Sequence, residues 1–382
     1  MGIYLDYNAS APIDERVLEV MIDVYKNAYG NADSRTHEFG NKARKAVEDA
    51  RKQAAHLLGV QEGEIFFTSG STESNNIAIR GLIKYAEESG KKHIITSSIE
   101  HKSVLEAVNS LKEDGFDVDI IDPEQDGGVD ADKILRRVKA GTLLVSLMHA
   151  NNETGVIQPV KEIGCTLYEK NVLFHIDATQ SCGKLVPELK NIKYNMLSLS
   201  AHKLSGPQGI GALILRKNHY RLPPVRAITY GGKQEHGIRP GTIPSALAAG
   251  LGKACELAEE EYEANIRRYK ENKETILKLI QDSGLKYDIN GNQDFCMPNT
   301  LNISFDGIES EALMLLSQQY CGISNGSACT SREYSPSYVL SAMGLSEERI
   351  SSAIRIGWGA KTDTCELSKQ VSRLIEAAKG LI

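Results

Sequence analysis

The chain has 382 residues, 41% hydrophobic and 25% charged. That is the globular average, which excludes a disordered polymer, and the length exceeds one ordinary core, so roughly two to three domains are expected. The net charge of −6 excludes a partner drawn by overall positive charge; a small substrate is expected, with no direct nucleic-acid binding.

The start, MGIYLDYNASAP, has no basic region followed by an apolar run, and no segment approaches the ~18 apolar residues that span a bilayer. A cytoplasmic protein without membrane contact is therefore expected. From Glu64 to Leu215 short apolar runs alternate with amphipathic stretches. The strand candidates are EIFFTSG, HIITSSI, DVDIID, TLLVSLMHA, VLFHIDA, YNMLSLSAH and GALILR. Between them, ESNNIAIRGLIKYAEES and KSVLEAVNSLKEDG carry apolar residues at helical spacing. This alternation predicts an α/β domain with a doubly wound, mostly parallel sheet.

Ser245 to Ser283 reads as helix almost throughout and leads out of that domain. Beyond Gly284, short strands (NTLNISFD, SSAIRIGW) mix with helices, which predicts a smaller α+β domain. The last helix places Leu367, Val371, Leu374 and Ile375 on one face. The expected division is 15–258 for the large domain, and 1–14 with 259–382 for the small one. Seven cysteines, an odd number with no CxxC pair, argue against a disulfide framework. Most are expected to be small buried hydrophobes.

The chemistry collects where strands end, the place where open α/β sheets hold ligands. TSGST offers Ser71 and Thr72 at a strand-to-helix turn, where small residues and a helix start suit a phosphate; a plain N-capped turn would look the same. Glu100-His101-Lys102 presents an imidazole able to stack on an aromatic ligand or move protons. Asn151-Asn152-Glu153-Thr154-Gly155, after TLLVSLMHA, offers an amide side chain to a phenolic or carbonyl oxygen, although an Asx turn has the same sequence. Asp177, with Gln180 close behind, is a carboxylate leaving an apolar strand, a costly placement unless it meets a cation. Ser200, His202 and Lys203 end LSLSAHK before a glycine-rich stretch, and the Lys203 amine can condense with a carbonyl cofactor once its pKa is lowered.

HIDATQS and SLSAHKLSGPQGIGAL resemble the aspartate and lysine signatures of fold-type I pyridoxal-phosphate enzymes in the class V aminotransferase group. The resemblance extends through LDYNASAP, GNADSRTHEFG, FFTSGSTESNN, EHKSV, NNETG, RPGTIP and SNGSACTSREYSPSYVL, nearly the whole chain. It implies pyridoxal 5′-phosphate as cofactor, carried on Lys203. It further implies that Ser71, Thr72 and Ser200 hold the phosphate with His202 beside them, that Asn152 and Gln180 contact the ring oxygen, and that Asp177 keeps the ring nitrogen protonated. His101 stacks on the ring, and Thr242 in RPGTIP reaches the phosphate of a neighbouring subunit, which implies a homodimer. No metal is called for.

SNGSACTS is similar to the cysteine-bearing loop of the cysteine desulfurases, a loop of small residues that brings the Cys329 thiolate to the substrate sulfur. Ser335 is expected to cap the following helix, with Pro336 in its first turn. Arg355 is similar in placement to the family's carboxylate-binding arginine, whose planar fork suits a bidentate link; Asn152 is the other substrate contact. The implied reaction turns L-cysteine into L-alanine and a Cys329 persulfide, with Lys203 and His101 as the further catalytic residues. The sulfur then passes to an acceptor protein, a scaffold or sulfur carrier, for iron–sulfur assembly, tRNA thiolation or DNA phosphorothioation. GNADSRTHEFG looks somewhat like the last branch. A selenocysteine lyase or another class V enzyme is the alternative on the same scaffold, and a non-catalytic cofactor-binding module is opposed by the presence of both Lys203 and Cys329.

Overall fold

The computed structural model describes residues 2–326 and 336–382. Its strands, in chain order, are β1 (Ile3–Tyr4), β2 (Ile65–Thr68), β3 (His93–Ser97), β4 (Asp117–Ile121), β5 (Thr142–Met148), β6 (Leu173–Asp177), β7 (Met196–Ser200), β8 (Gly211–Leu215), β9 (Tyr287–Ile289), β10 (Thr300–Phe305), β11 (Cys321–Gly322) and β12 (Ala353–Gly357). A seven-stranded sheet runs in the order β2-β8-β7-β6-β5-β3-β4. Neighbours from β4 to β7 are parallel, whereas β8 runs antiparallel to both β7 and β2. Chain length explains the difference. The parallel strands are joined through helices such as Lys102–Glu113 and Val160–Glu169, whereas residues 201–210, between β7 and β8, are too short for a crossover.

Successive residues of each strand face opposite sides of the sheet, and here both sides are covered. Phe67, Ile95, Val145, Leu197 and Ile214 enter one core with the helices Glu38–Leu58 and Ser245–Glu260. Their chain neighbours Phe66, Ile94, Leu144, Met196 and Leu213 enter the opposite one with Ser71–Arg80 and Lys102–Glu113. This two-sided burial is why the strands read as continuous apolar runs.

A separate core forms around the antiparallel sheet β12-β10-β9. The final helix, Thr364–Lys379, buries Leu367, Val371, Leu374 and Ile375 there, as its spacing predicts. The amino terminus joins the same body: β1 pairs in parallel with β11, and Leu5 is in this core.

Two details differ from the sequence reading. The long helix breaks at Glu261 into Ser245–Glu260 and Tyr262–Asp282. Ala248, Leu251 and Leu257 bury into the first core, while Tyr269, Ile276 and Ile280 bury into the other, so one straight helix cannot serve both. The helix expected to be capped by Ser335 spans Tyr338–Ala342 and is capped by Ser337, whose Oγ accepts from the Leu340 N–H at 3.1 Å. Pro336 therefore precedes the cap instead of occupying the first turn. Val339 and Leu340 pack into the first core, which draws this short helix against the large sheet. Among the described residues no helix is long and apolar enough to cross a membrane.

Candidate active site

A cleft of about 810 Å³ opens at the carboxyl ends of β2, β5, β6 and β7. Ser71, Thr72, His101, Asn152, Asp177, Gln180, Ser200, His202, Lys203 and Arg355 all line it. The chain thus gathers ten predicted site residues that lie up to hundreds of positions apart. Thr242 is exposed and is not part of this lining. Cys329 lies outside the described residues, although Gly326 and Pro336 on either side of it reach the cleft.

Lys203 follows β7 in a single tight turn, Ala201–Lys203. Its Nζ donates to the backbone oxygens of Asn8 at 2.5 Å and Ala9 at 2.7 Å, so the amino-terminal segment holds the amine in place. A second lysine, Lys184, is buried nearby, and burial with the neighbouring Lys203 charge pushes its amine down to about 7. His202 is likewise pushed down to about 4, first by burial and then by these two amines. It is neutral near pH 7 and pairs with Ser200 Oγ at 2.9 Å.

Asp177, only 5% exposed, takes hydrogen bonds from Asn75 Nδ2 at 2.8 Å, from the Thr179 N–H at 3.0 Å and from the Thr179 hydroxyl. All three donors are neutral. Asn75 spends its second N–H on Ser103 Oγ at 2.8 Å, and Ser103 Oγ lies 2.8 Å from His101 Nδ1. A continuous chain of hydrogen bonds therefore ties the carboxylate to the imidazole. The Ser103 N–H also donates to His101 Nδ1 at 3.1 Å, so in the neutral ring the proton sits on Nε2. Burial holds His101 below its usual pKa, against the pull of Asp177, which keeps that neutral form.

Arg355, 1% exposed, enters from β12. Its Nη2 pairs with Asp6 Oδ1 at 2.7 Å and its Nη1 donates to the Asn152 backbone oxygen at 2.9 Å. Among the described residues its Nε is buried without a partner, so the fork keeps a donor for a carboxylate. Gln180 is less free than its sequence position suggests, because its Nε2 donates to Asn8 O at 2.9 Å.

Sequence reasoning passed over Asn75, Thr179, Ser103, Asp6 and Asn8. Thr179 had a signal, lying two residues after Asp177 where a hydroxyl can turn back on the carboxylate. Asp6 and Asn8 lie within the quoted LDYNASAP segment, but no local pattern joins them to Arg355 or Lys203.

The residues fit a phosphorylated pyridine aldehyde. Asp177 is a buried carboxylate held by neutral donors alone, a setting that favours a cationic ring nitrogen. Asn152 Oδ1 is buried without a partner among the described residues. The helix Ser71–Arg80 starts after Gly70, at φ 149°, which supplies no capping side chain, and a Cβ there would approach Ser200 Oγ to 3.4 Å. Its uncapped N–H groups and nearby hydroxyls make an anion cradle.

A doubly wound sheet that delivers a lysine, a buried carboxylate and an open helix start into one cleft defines a fold-type I pyridoxal-phosphate enzyme. Residues 3–369 match the Aminotransferase class-V family. The chain is 43% identical over 382 residues to a protein named cysteine desulfurase IscS from Anaeromyxobacter sp. (strain Fw109-5), covering 99% of this chain and 93% of that one. Among solved structures, a NifS-like protein superposes with a TM-score of 0.90 at 35% identity, covering 98% of this chain and 99% of that one. DndA from Streptomyces lividans superposes with a TM-score of 0.81 at 38% identity, covering 94% and 99%. The chain belongs to the class V aminotransferase family and is a pyridoxal-phosphate-dependent cysteine desulfurase.

Proposed function

We propose that the cleft residues divide the desulfurase reaction as follows. Lys203 carries the cofactor; Ser71, Thr72 and Ser200, with His202 beside them, hold its phosphate; Asn152 and Gln180 meet its ring oxygen. Asp177 faces the ring nitrogen, and the observation that carries the assignment is this buried carboxylate, held by three neutral donors at the end of the strand next to the one that delivers Lys203. When bound, the cofactor withdraws electrons from the substrate's α-carbon.

Arg355, braced by Asp6, binds the carboxylate of L-cysteine, with Asn152 beside it. Lys203 Nζ would take up the α-proton and, once the sulfur has left, return a proton to the α-carbon so that L-alanine is complete. His101 would stack on the ring and present Nε2–H to the cleft as a donor to the substrate sulfur; taking up the thiol proton at Nε2 would need the other tautomer. The Cys329 thiolate attacks the substrate sulfur: its new S–S bond forms as the substrate C–S bond breaks, so L-cysteine and one enzyme thiol become L-alanine and one persulfide. Cys321 is unsuited to that task, because burial pushes its thiol up to about 12.

The proposal includes the division into 15–258, and 1–14 with 259–382, supported by the separate core around β12-β10-β9, while Val339 and Leu340 pack back onto the large sheet. It also includes a cytoplasmic homodimer in which Thr242 serves the partner's site, followed by sulfur transfer to an acceptor protein. The exposure of Thr242 away from its own cleft supports the dimer, as do Leu18, Ile22, Tyr25 and Tyr29, exposed large apolar side chains on or just after the helix Glu15–Asn27.

Borohydride reduction of the holoenzyme, followed by peptide mapping, tests the assignment. The label is expected on Lys203; a label on Lys184, whose amine burial pushes down to about 7, would overturn it.

A further inference from the structure

Glu153 is 1% exposed, lines the cleft, and has no part in the chemistry above. Its backbone is fixed in the turn after β5: its N–H donates to Asn151 Oδ1 at 2.8 Å, and its oxygen accepts from Asn302 Nδ2 at 3.2 Å. Burial raises the pKa of its carboxyl group, against the Ser337 hydrogen bond and the Arg355 and Lys102 charges. A buried carboxyl group is costly, so its contacts are informative.

One contact is with Ser337, whose hydroxyl donates to Glu153 Oε2 at 2.5 Å while the same Oγ caps the helix Tyr338–Ala342. The other is with Gly326. A Cβ built on Gly326 would lie 2.9 Å from the same Oε2, and its φ is 85°. That position therefore needs glycine twice over, for its backbone angle and for its close approach to the carboxylate. Gly326 and Ser337 flank the stretch of chain that contains Cys329. A single side chain thus meets both ends of that stretch.

The neighbouring contacts reinforce each end. Ser324 exchanges backbone hydrogen bonds with Arg355 at 3.2 and 2.5 Å, and its Oγ accepts from the Gly326 N–H at 3.1 Å. Tyr338 donates from its hydroxyl to the Glu100 backbone oxygen at 2.8 Å. The two ends are thereby referred to the same elements that carry Arg355, His101 and Asn152.

We infer that Glu153 is a positioning residue for sulfur transfer: by accepting from Ser337 and packing on Gly326, it sets where the chain leaves for Cys329 and where it returns. This rests on the assignment of Cys329 as the sulfur-accepting thiol. Because Glu153 acts through that stretch and not on the cofactor, it governs persulfide formation and leaves cofactor capture alone.

The test uses holoenzyme mixed rapidly with L-cysteine, reading the first cofactor absorbance change and, by quenched-flow mass spectrometry, the rate at which one sulfur is added to the Cys329 peptide. Glu153→Ala and Ser337→Ala are each expected to slow sulfur addition about tenfold or more, the scale of a buried hydrogen-bonding group left without its partner, with the absorbance step unchanged. The double variant should be no slower than Ser337→Ala alone, since that variant has already lost the Glu153 contact together with the helix cap. Glu153→Gln, which still accepts from Ser337, should restore the rate. If Glu153→Ala does not fold, Ser337→Ala against Glu153→Gln makes the same comparison. Slowing of both steps together, additive losses in the double variant, or a melting temperature that falls without any change in the ratio of the two rates overturns the inference. Cys329→Ser separates the two levels: continued sulfur addition in that variant defeats the Cys329 assignment, whereas its loss there alongside a normal rate in Glu153→Ala defeats only the role of Glu153.

Discussion

Replacing Arg355 with lysine probes the substrate site where geometry sets the magnitude. The guanidinium spans two partners at once, Asp6 Oδ1 at 2.7 Å and the Asn152 backbone oxygen at 2.9 Å, and keeps a buried Nε without a partner among the described residues. An ammonium has no planar fork: it can remain with Asp6 or turn to the substrate, but it cannot present the same pair of parallel donors. At least one charge-assisted hydrogen bond to the L-cysteine carboxylate should be lost, about 1.5 to 3 kcal/mol, or roughly 10- to 150-fold in kcat/KM. A contact made equally in the bound substrate and in the transition state appears mainly in KM. Alanine formation measured across L-cysteine concentrations should therefore show a raised KM with a smaller change in kcat. Cofactor content and melting temperature are the accompanying controls, and Asp6→Asn, which loosens the brace, should give a milder rise. An Arg355→Lys enzyme with full cofactor content and unchanged KM would refute the role of this arginine.

Two further outcomes are expected. Glu100 is fully buried, and burial pushes its carboxyl up to about 8 from an ordinary 4.5; the folded state therefore keeps a proton that the unfolded chain releases, and stability falls as pH rises through that window. Relative to Glu100→Gln, the unaltered protein should lose about 1.4 kcal/mol per pH unit between those values and run parallel above pH 8; a gap that stays constant in urea titrations from pH 5 to 8 counts against it. Light scattering at micromolar concentration should report twice the 41.8 kDa chain, and Thr242→Ala should weaken cofactor retention without dissociating the dimer; a fully active monomer would contradict the shared site.

The sequence by itself determined most of the elements and which polar groups are carried at their ends. Two-sided burial makes strands such as TLLVSLM and GALIL continuous apolar runs, and a charged or hydroxylated residue that stops such a run marks the strand's carboxyl end, which is how Asp177, Ser200 and Lys203 were legible. Helical spacing likewise fixed the buried face of Thr364–Lys379. Tertiary structure decided what those ends meet. Asp6 and Arg355 are 349 positions apart, Asn75 and Asp177 are 102 apart, and Glu153 and Ser337 are 184 apart. Even locally, the choice of Ser337 over Ser335 as the helix cap, and the break at Glu261, followed from which core each segment packs against. Periodicity records only which side of an element is apolar. Hydrogen bonds between distant side chains are selected when the cores close and leave buried polar groups that must find partners.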